Sequence, residues 1–420
     1  MKLSYDGKTA EADVLAHVVP ARLRLVRRYS GTSFNRLILG ENLQVMKALL
    51  ADAGVAGRVD LVYIDPPFST NCIYRHNGKR TATVSSSRED DVAYTDKLKG
   101  GEFIEFLRQR LILIRELMSD RSSIYVHIDC KIGHYVKVIM DEIFGPKNFR
   151  SDISRVKCNP KNFERYGYSN SKDMILFYSK SKDFIWNEPR GEFSDDDILR
   201  LFPKVDSYGR HYTTTPLHAP GETKEGNTGK AWKGLLPPRG RHWRYKTEVL
   251  DELDSKGLIE RSGKGNPRKI VYAEEAVAKG KRLQDIWEFK DEQYPCYPTA
   301  KNPKLLERIV QTSSNTGALV LDCFCGSGTT LVAAERLARK WIGIDNSEIA
   351  IKTAIDRLVG DAVGDLLGSA PDFAQYEQVK SASEDQTGSE SAMHVCESAG
   401  TYARKTRKKK VRRLRGERSR

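Results

Sequence analysis

The sequence predicts an α/β fold built on a parallel sheet. Three observations carry that expectation. Short apolar runs alternate with amphipathic helical stretches from residue 35 to about 180, and the same alternation returns between 303 and 358. In each block an apolar run also stops at a carboxylate followed by turn chemistry, Asp65-Pro66-Pro67-Phe68 in the first and Asp322-Cys323-Phe324-Cys325-Gly326-Ser327-Gly328 in the second.

Taken in order, residues 1–32 show no clear period and carry a basic cluster at Arg22, Arg24, Arg27 and Arg28, so they read as an N-terminal arm. Asn35 to Gly40 reads as a strand, Leu43, Met46, Leu49 and Leu50 fall at helical spacing, and Leu61 to Ile64 is a second strand, which together make a β-α-β unit. Residues 69–101 turn polar without a period, as expected of a lid or a disordered segment beside a site. A helix is predicted through Phe103, Phe106, Leu107, Arg110, Leu111, Ile114 and Leu117. Next come a strand at Ile124 to Ile128, a helix with Tyr135, Val138, Ile139, Ile143 and Phe144 apolar, and a strand at Met174 to Tyr178.

Between about 200 and 290 glycine, proline and basic residues dominate. Glu248 to Leu258 reads as a helix, and Leu258 to Arg261 with Lys269 to Tyr272 as a hairpin. Arg239, Arg241, Trp243, Arg244, Lys264 and Arg268 interleave cations with an aromatic ring, the composition that contacts phosphates and bases, although a loop-rich insertion without a partner would share it. A helix from Pro303, a strand at Leu319 to Asp322, the glycine turn, a helix through Leu331 and Ala334, a strand at Trp341 to Asp345 and a helix from Ile349 to Leu358 complete the pattern. Beyond about 362 a Ser/Glu/Asp-rich stretch and a basic end read as disorder.

Bulk properties exclude several classes. The chain has 420 residues, 30% charged, with a mean hydropathy of −0.54 and neither a signal segment nor an uninterrupted membrane span, so a cytoplasmic protein with no membrane partner is expected. Seven scattered cysteines suggest reduced thiols, and Cys323-x-Cys325 lacks a second ligand pair, so no metal is expected. Of the formal charge of +14, a net +10 lies in residues 404–420, so the tail is an electrostatic arm and the body only mildly basic.

The two strand-end corners carry the chemistry. Prolines at 66 and 67 stiffen Asp65 and Pro66, leaving the Asp65 carboxylate and the Pro66 carbonyl as fixed acceptors beside the Phe68 ring. That set suits a planar amine, with its two N–H donors and a face to stack, though a plain Asp-Pro-Pro turn would look the same in isolation. The glycine turn opens a helix, where backbone N–H groups favour an anionic group, and Asp345 ends the next strand at the spacing of a ribose-binding acid. A nucleoside cofactor with a carboxylate satisfies both ends. No Gly-Lys-Ser/Thr follows the glycines, which disfavours a triphosphate.

Together these residues resemble the DNA amino-methyltransferases that use S-adenosylmethionine, in the group whose DPPY/F motif precedes FxGxG, including the type III modification subunits. The resemblance runs from Leu37 to about Leu358. It implies a Rossmann-like α/β methyltransferase sheet with circularly permuted motif order and an inserted target-recognition module. The implied division is 1–32 arm, 33–200 catalytic half, 201–290 recognition module, 291–362 cofactor half and 363–420 disordered tail. Gly40-Glu41-Asn42-Leu43 is similar to the family's Gly-Asp-Asn-Leu with Glu for Asp, and Tyr297-Pro298-Thr299-Ala300-Lys301-Asn302 to its segment before the glycine turn, with Asp285-Ile286-Trp287 upstream. The resemblance assigns catalysis to Asp65, Pro66, Pro67 and Phe68. It assigns S-adenosylmethionine to Glu41, Asp65, Thr299, Lys301, Asp322, Phe324, Gly326, Ser327, Gly328, Thr329, Asp345 and Asn346.

Asp65 at the head of the catalytic motif points to adenine N6 in double-stranded DNA, reached by flipping the base out. Cytosine N4, an RNA or protein amide nitrogen, or a DNA-binding protein with a vestigial pocket are the rival readings. A restriction endonuclease subunit and a second copy of the chain are further partners compatible with the family.

Overall fold

The computed structural model describes residues 2–31, 34–67, 100–159, 168, 170–223, 226–291, 301–360 and 372–379, with strand backbone at 73–76 and 91–95. Among these, ten strands form the central sheet: β1 (Leu23–Tyr29), β2 (Arg36–Leu39), β3 (Val59–Ile64), β4 (Met118–Ile128), β5 (Phe149–Val156), β6 (Lys172–Ser179), β7 (Ile286–Glu288), β8 (Leu319–Asp322), β9 (Lys340–Asp345) and β10 (Phe373–Gln378). Their spatial order is β1-β10-β2-β9-β8-β3-β4-β6-β5-β7. The run from β10 to β4 is parallel throughout, so the strands ending at residues 39, 64, 322 and 345 all end on one edge.

Alternation along each strand builds two cores. Val59, Val62 and Ile64 of β3 join Leu319, Leu321, Ile342 and Ile344 on one face. That face is covered by α1 (Glu11–His17), α2 (Asn42–Leu49), α3 (Gly100–Leu117) and α4 (Cys130–Phe144). Leu61 and Tyr63 join Val320 and Trp341 on the other face, beneath α5 (Pro303–Ser313), α6 (Thr329–Arg336) and α7 (Glu348–Val359). The predicted α/β class is therefore a sheet with helices on both faces, and the half that follows the module folds back into the same sheet as the half that precedes it.

Several expectations change. The sheet is mixed: β6 runs antiparallel between β4 and β5, and β1 antiparallel to β10. A strand buried on both faces reads as the same apolar run in either direction, so the sequence of β6 does not carry its sense. Part of the tail expected to be disordered is ordered, because Phe373–Gln378 pairs with β1 and β2 and buries Phe373 and Ala374. The N-terminal arm contributes α1 and β1; β1 is an edge strand exposed over most of its length, which is why it shows no apolar period. Within the polar stretch 69–101, Ile73–His76 and Asp91–Thr95 pair as an antiparallel hairpin.

The inserted module has its own four-stranded antiparallel sheet, in which Ile259–Arg261 and Pro267–Tyr272 form the expected hairpin, and a helix at Thr247–Ser255. Its boundaries are wider at one end and narrower at the other than expected. Arg190–Gly191 pairs with Lys281–Arg282, while Ile286–Glu288 already belongs to the central sheet as β7. Its core is small, comprising Leu217, Trp232, Trp243 and Leu250 with Leu235, Leu253 and Ile259 at its rim.

Candidate active site

The Asp65 lip and the glycine corner, some 260 residues apart in the chain, leave adjacent strands. Leu321 of β8 is in parallel register with Val62 of β3, so Asp322 and Asp65 stand at neighbouring strand ends. Two further contacts stitch the edge together. The Asn42 side-chain amide donates to the Cys323 carbonyl at 2.7 Å, and the Gly40 amide donates to the Asp345 carbonyl at 2.9 Å. Four strand ends thus meet along one edge of the sheet.

The glycine loop is held from behind. Gly326 and Gly328 have φ of +49° and +75°, the left-handed region that glycine enters without strain. A Cβ at Gly328 would also lie 3.0 Å from the Ala354 Cβ of α7. Asp345 closes the loop, its two carboxylate oxygens accepting from the Gly326 and Ser347 amides at 2.8 and 2.9 Å. Burial raises its pKa against those bonds. The Asn346 amide bonds the same carboxylate, which still keeps room for an incoming hydroxyl. Asp322 is 2% exposed and accepts from the Phe324 amide at 3.0 Å; burial, followed by the repulsion of Asp65 and Asp345, pushes it up to about 7.

Asp65 differs from both. Its Oδ2 is ion-paired with Lys301, whereas its buried Oδ1 has no hydrogen-bond partner among the described residues. An unsatisfied buried oxygen is costly and rare, and marks a place where a donor belongs. Pro66 is buried and Pro67 half-buried.

Lys301 is delivered by a network that sequence reasoning did not foresee. Tyr63, two residues before Asp65, donates its hydroxyl to Nδ1 of fully buried His127 at 2.9 Å, and His127 Nε2 meets Asp173 at 3.2 Å. Burial lowers the His127 pKa, so a neutral ring donates from Nε2 and accepts at Nδ1. Asp173 also accepts from Lys157 at 2.6 Å, and buried Arg155 pairs with both Asp173 and Asp291. Asp291 in turn accepts from the Asn302 amide at 3.2 Å, and the Asn302 side chain donates to the Lys290 carbonyl at 2.7 Å. The chain returning from the module is therefore pinned at 290–291 and at 302, with Lys301 next to the second pin. The available signal was weak: His127 and Asp173 are polar residues at strand ends otherwise made of apolar runs.

Glu41 carries local bonds that the resemblance did not imply. Its carboxylate caps α2 by accepting from the Leu43 and Gln44 amides at 2.8 and 3.3 Å, and pairs with Arg110, whose guanidinium lies 3.4 Å from the Phe106 ring centre and donates to Asn42 at 2.6 Å. A groove of about 570 Å³ opens there, lined in part by Glu41, Phe106 and Arg110. Arg110 sat on the apolar face of its predicted helix, and a charge at such a position was the one legible sign of it.

Other assigned residues separate. The Ser327 and Thr329 hydroxyls accept from Arg357 at 2.9 Å each, so those side chains anchor the loop to α7. Phe324 packs against Phe106 with ring centres 6.1 Å apart, and Asn346 is exposed just beyond Asp345. Phe68 and Thr299 lie outside the described residues. In the module, Arg239, Arg241, Arg244 and Lys264 are exposed. Trp243 is corrected from a contact residue to a core residue: it is 1% exposed and its indole donates to the Lys230 carbonyl at 2.9 Å. Arg268 is likewise engaged internally, bonding the Thr214 hydroxyl and carbonyl at 2.8 and 2.6 Å.

A parallel-sheet edge with a glycine loop, a carboxylate after the next strand and an acceptor lip on the adjoining one defines a group-transfer enzyme of the nucleoside-cofactor class. The chain belongs to the DNA methylase family of N6/N4 amino-methyltransferases, whose profile matches residues 59–356, and as such uses S-adenosylmethionine. It is 40% identical over 380 residues to the type II methyltransferase M.EcaI of Enterobacter cloacae, covering 88% of this chain and 80% of that protein. It is also 26% identical to the type III restriction-modification enzyme EcoPI Mod subunit of Escherichia phage P1, covering 76% of this chain but 59% of that protein. The solved PvuII DNA methyltransferase (cytosine-N4-specific) aligns over 82% of this chain and 95% of that one, at 12% identity and a TM-score of 0.46.

Proposed function

We propose that this DNA methyltransferase modifies the exocyclic N6 of adenine in a base flipped out of duplex DNA. The observation that carries the reading is the Asp65 carboxylate, with one oxygen held and the other buried and unsatisfied, at the strand end beside the glycine corner. The unsatisfied oxygen and the Pro66 carbonyl supply two acceptors for the two N–H donors of an amino group. Accepting both draws the amine nitrogen toward tetrahedral geometry, frees its lone pair and stabilises the positive charge that develops on it. Asp65 takes the proton after transfer, when the methylated amine has become acidic. Phe68, next along the chain, supplies the stacking face for the flipped base.

Glu41, Lys301, Asp322, the Gly326–Gly328 loop and Asp345 are the residues that fit the cofactor, and bound S-adenosylmethionine supplies an electrophilic methyl group. Asp345 retains room for a ribose hydroxyl, and the left-handed glycines bring backbone close without a side chain in the way. The exposed cations of the module, Arg239, Arg241, Arg244 and Lys264, read the DNA, and the basic tail adds nonspecific attraction. The relatives' descriptions as type II and type III modification enzymes support a restriction-modification setting, with an endonuclease or a second copy of the chain as partner. No helix among the described residues is long and apolar enough to cross a membrane.

Base-resolved sequencing of DNA from cells expressing the protein tests the reading. N6-methyladenine at a fixed position in a recurrent motif is expected, and N4-methylcytosine in its place would overturn the adenine assignment.

A further inference from the structure

Lys301 occupies a position that the transfer chemistry does not explain. Its ammonium is ion-paired with the one carboxylate that must accept N–H donors from the target amine, and both side chains are largely buried, at 10% and 17% exposure. Of the strand-end carboxylates Asp65, Asp322 and Asp345, Asp65 has a cation paired with it among the described residues, while Glu41 further along the edge is held by Arg110. A lysine fixed there permanently would oppose the positive charge that grows on the amine during transfer. It would also leave Asp65 half-neutralised at the moment its charge is needed. The Lys301 stem is flexible, while the backbone beside it is pinned through Asn302 to Asp291 and Lys290. The ammonium can therefore swing without moving the chain that carries it.

We propose that Lys301 is a charge latch: in the ligand-free protein it neutralises Asp65, and it transfers to the carboxylate end of the cofactor when that group enters, releasing Asp65 for the target amine. The ammonium never loses an anionic partner during the exchange, because the incoming carboxylate replaces the one it leaves. Asp65 becomes a fully available acceptor only once the cleft holds its nucleoside. The latch makes base capture conditional on a loaded site. It rests on the cofactor and on Asp65 as the acceptor, and adds a competition between two anions for one lysine.

Competition has a signature that a static ion pair lacks. Removing the charge of Asp65 should strengthen cofactor binding, because Lys301 no longer has to be drawn away. S-adenosylhomocysteine is the suitable probe, since its neutral sulfur removes any direct attraction between Asp65 and a sulfonium, and 5′-methylthioadenosine is the control that lacks the whole amino-acid end, carboxylate and ammonium together. Binding of both to the full-length wild type, Asp65→Asn, Lys301→Met and the Asp65→Asn/Lys301→Met pair is measured by calorimetry, with circular dichroism melting of each. The double variant removes both charges of the pair together and keeps the comparison open if a single variant fails to fold.

The expected result is that Asp65→Asn binds S-adenosylhomocysteine roughly tenfold more tightly, the size of one charge-assisted hydrogen bond freed. The gain should be absent for methylthioadenosine and absent when Lys301 is Met. Unchanged or weaker binding of S-adenosylhomocysteine by Asp65→Asn, or a gain that survives Lys301→Met, overturns the latch while leaving the cofactor assignment in place. A wild type that binds neither nucleoside overturns both.

Discussion

The cofactor edge of the sheet and the inserted module hold their functional groups in opposite ways. At the sheet edge acidic side chains are fixed: Asp345 by the Gly326, Asn346 and Ser347 amides, Asp322 by the Phe324 amide and the Thr330 hydroxyl, Asp65 by Lys301. In the module, four buried side chains form the core and the cations Arg239, Arg241, Arg244 and Lys264 stand in solvent. The first arrangement holds its groups by short, directed bonds, as transfer chemistry requires. The second presents charge on a lightly anchored scaffold, whose surface can change without disturbing the sheet. Damage to the edge should therefore appear in turnover, and damage to the module in DNA binding.

The largest effect expected is at Asp65. Asp65→Ala should lower the single-turnover rate of methyl transfer by on the order of 10⁴-fold, because one of two acceptors and the local negative charge are both lost. Cofactor binding, followed by calorimetry in the same preparation, should persist. A variant that turns over normally would take Asp65 out of the reaction and dissolve the contrast between the two regions.

Next is the pH dependence created by Asp322. Its carboxyl titrates at about 7 in the folded protein against an ordinary 3.8, so between those values the native state holds a proton that the unfolded chain has released. Stability therefore falls as pH rises through that window, then levels off above about 7, at a total cost on the order of 4 kcal/mol. Asp322→Asn removes this contribution. Urea unfolding of both proteins at about pH 5 and about pH 8 should show the variant gaining on the wild type at the higher value. A constant difference between them would mean that Asp322 is already ionised at low pH.

The same contrast explains what the sequence discloses. Asp65, Asp322 and Asp345 were legible because each closes an apolar run, and a carboxylate at a strand end is a local pattern. The strand at Phe373–Gln378 was not, because only Phe373 and Ala374 are buried and the surrounding composition is polar. Nor was the chain from Tyr63 through His127, Asp173 and Arg155 to Asp291, whose members lie up to 136 residues from their partners. Such a network exists only once the strand order is set. Trp243 was misread for a related reason: among arginines, an indole that stacks on a base and one that fills a small core have the same neighbours in sequence.

Trp243→Ala tests that correction and has the third-largest effect. Removing a fully buried indole from a core of four residues should cost the module about 3 kcal/mol, the low end for such truncations because the surrounding surface can collapse. Hydrogen exchange should show the loss confined to the module, with protection of the β3 and β8 amides unchanged. Cofactor binding should survive and DNA binding should not. Loss of protection across the central sheet would show the two regions to be one cooperative unit.

The smallest effects separate the module's exposed cations from its engaged one. Arg244 is exposed, and Arg244→Ala should weaken DNA binding by about 1 kcal/mol, less at higher salt, and lower the slope of log affinity against log salt by about 0.9 if it meets a phosphate. Arg268, bonded to the Thr214 hydroxyl and carbonyl, should behave otherwise. Arg268→Ala frees both acceptors on a half-buried strand, so it should lower the module's stability while leaving the salt slope of its folded fraction nearly unchanged. Fluorescence anisotropy with labelled duplex DNA across a salt series, at a temperature below the onset of melting for both variants, compares the two slopes directly. Equal reductions would return Arg268 to the DNA-contacting set, because a cation spent on its own fold displaces no counterion from the DNA.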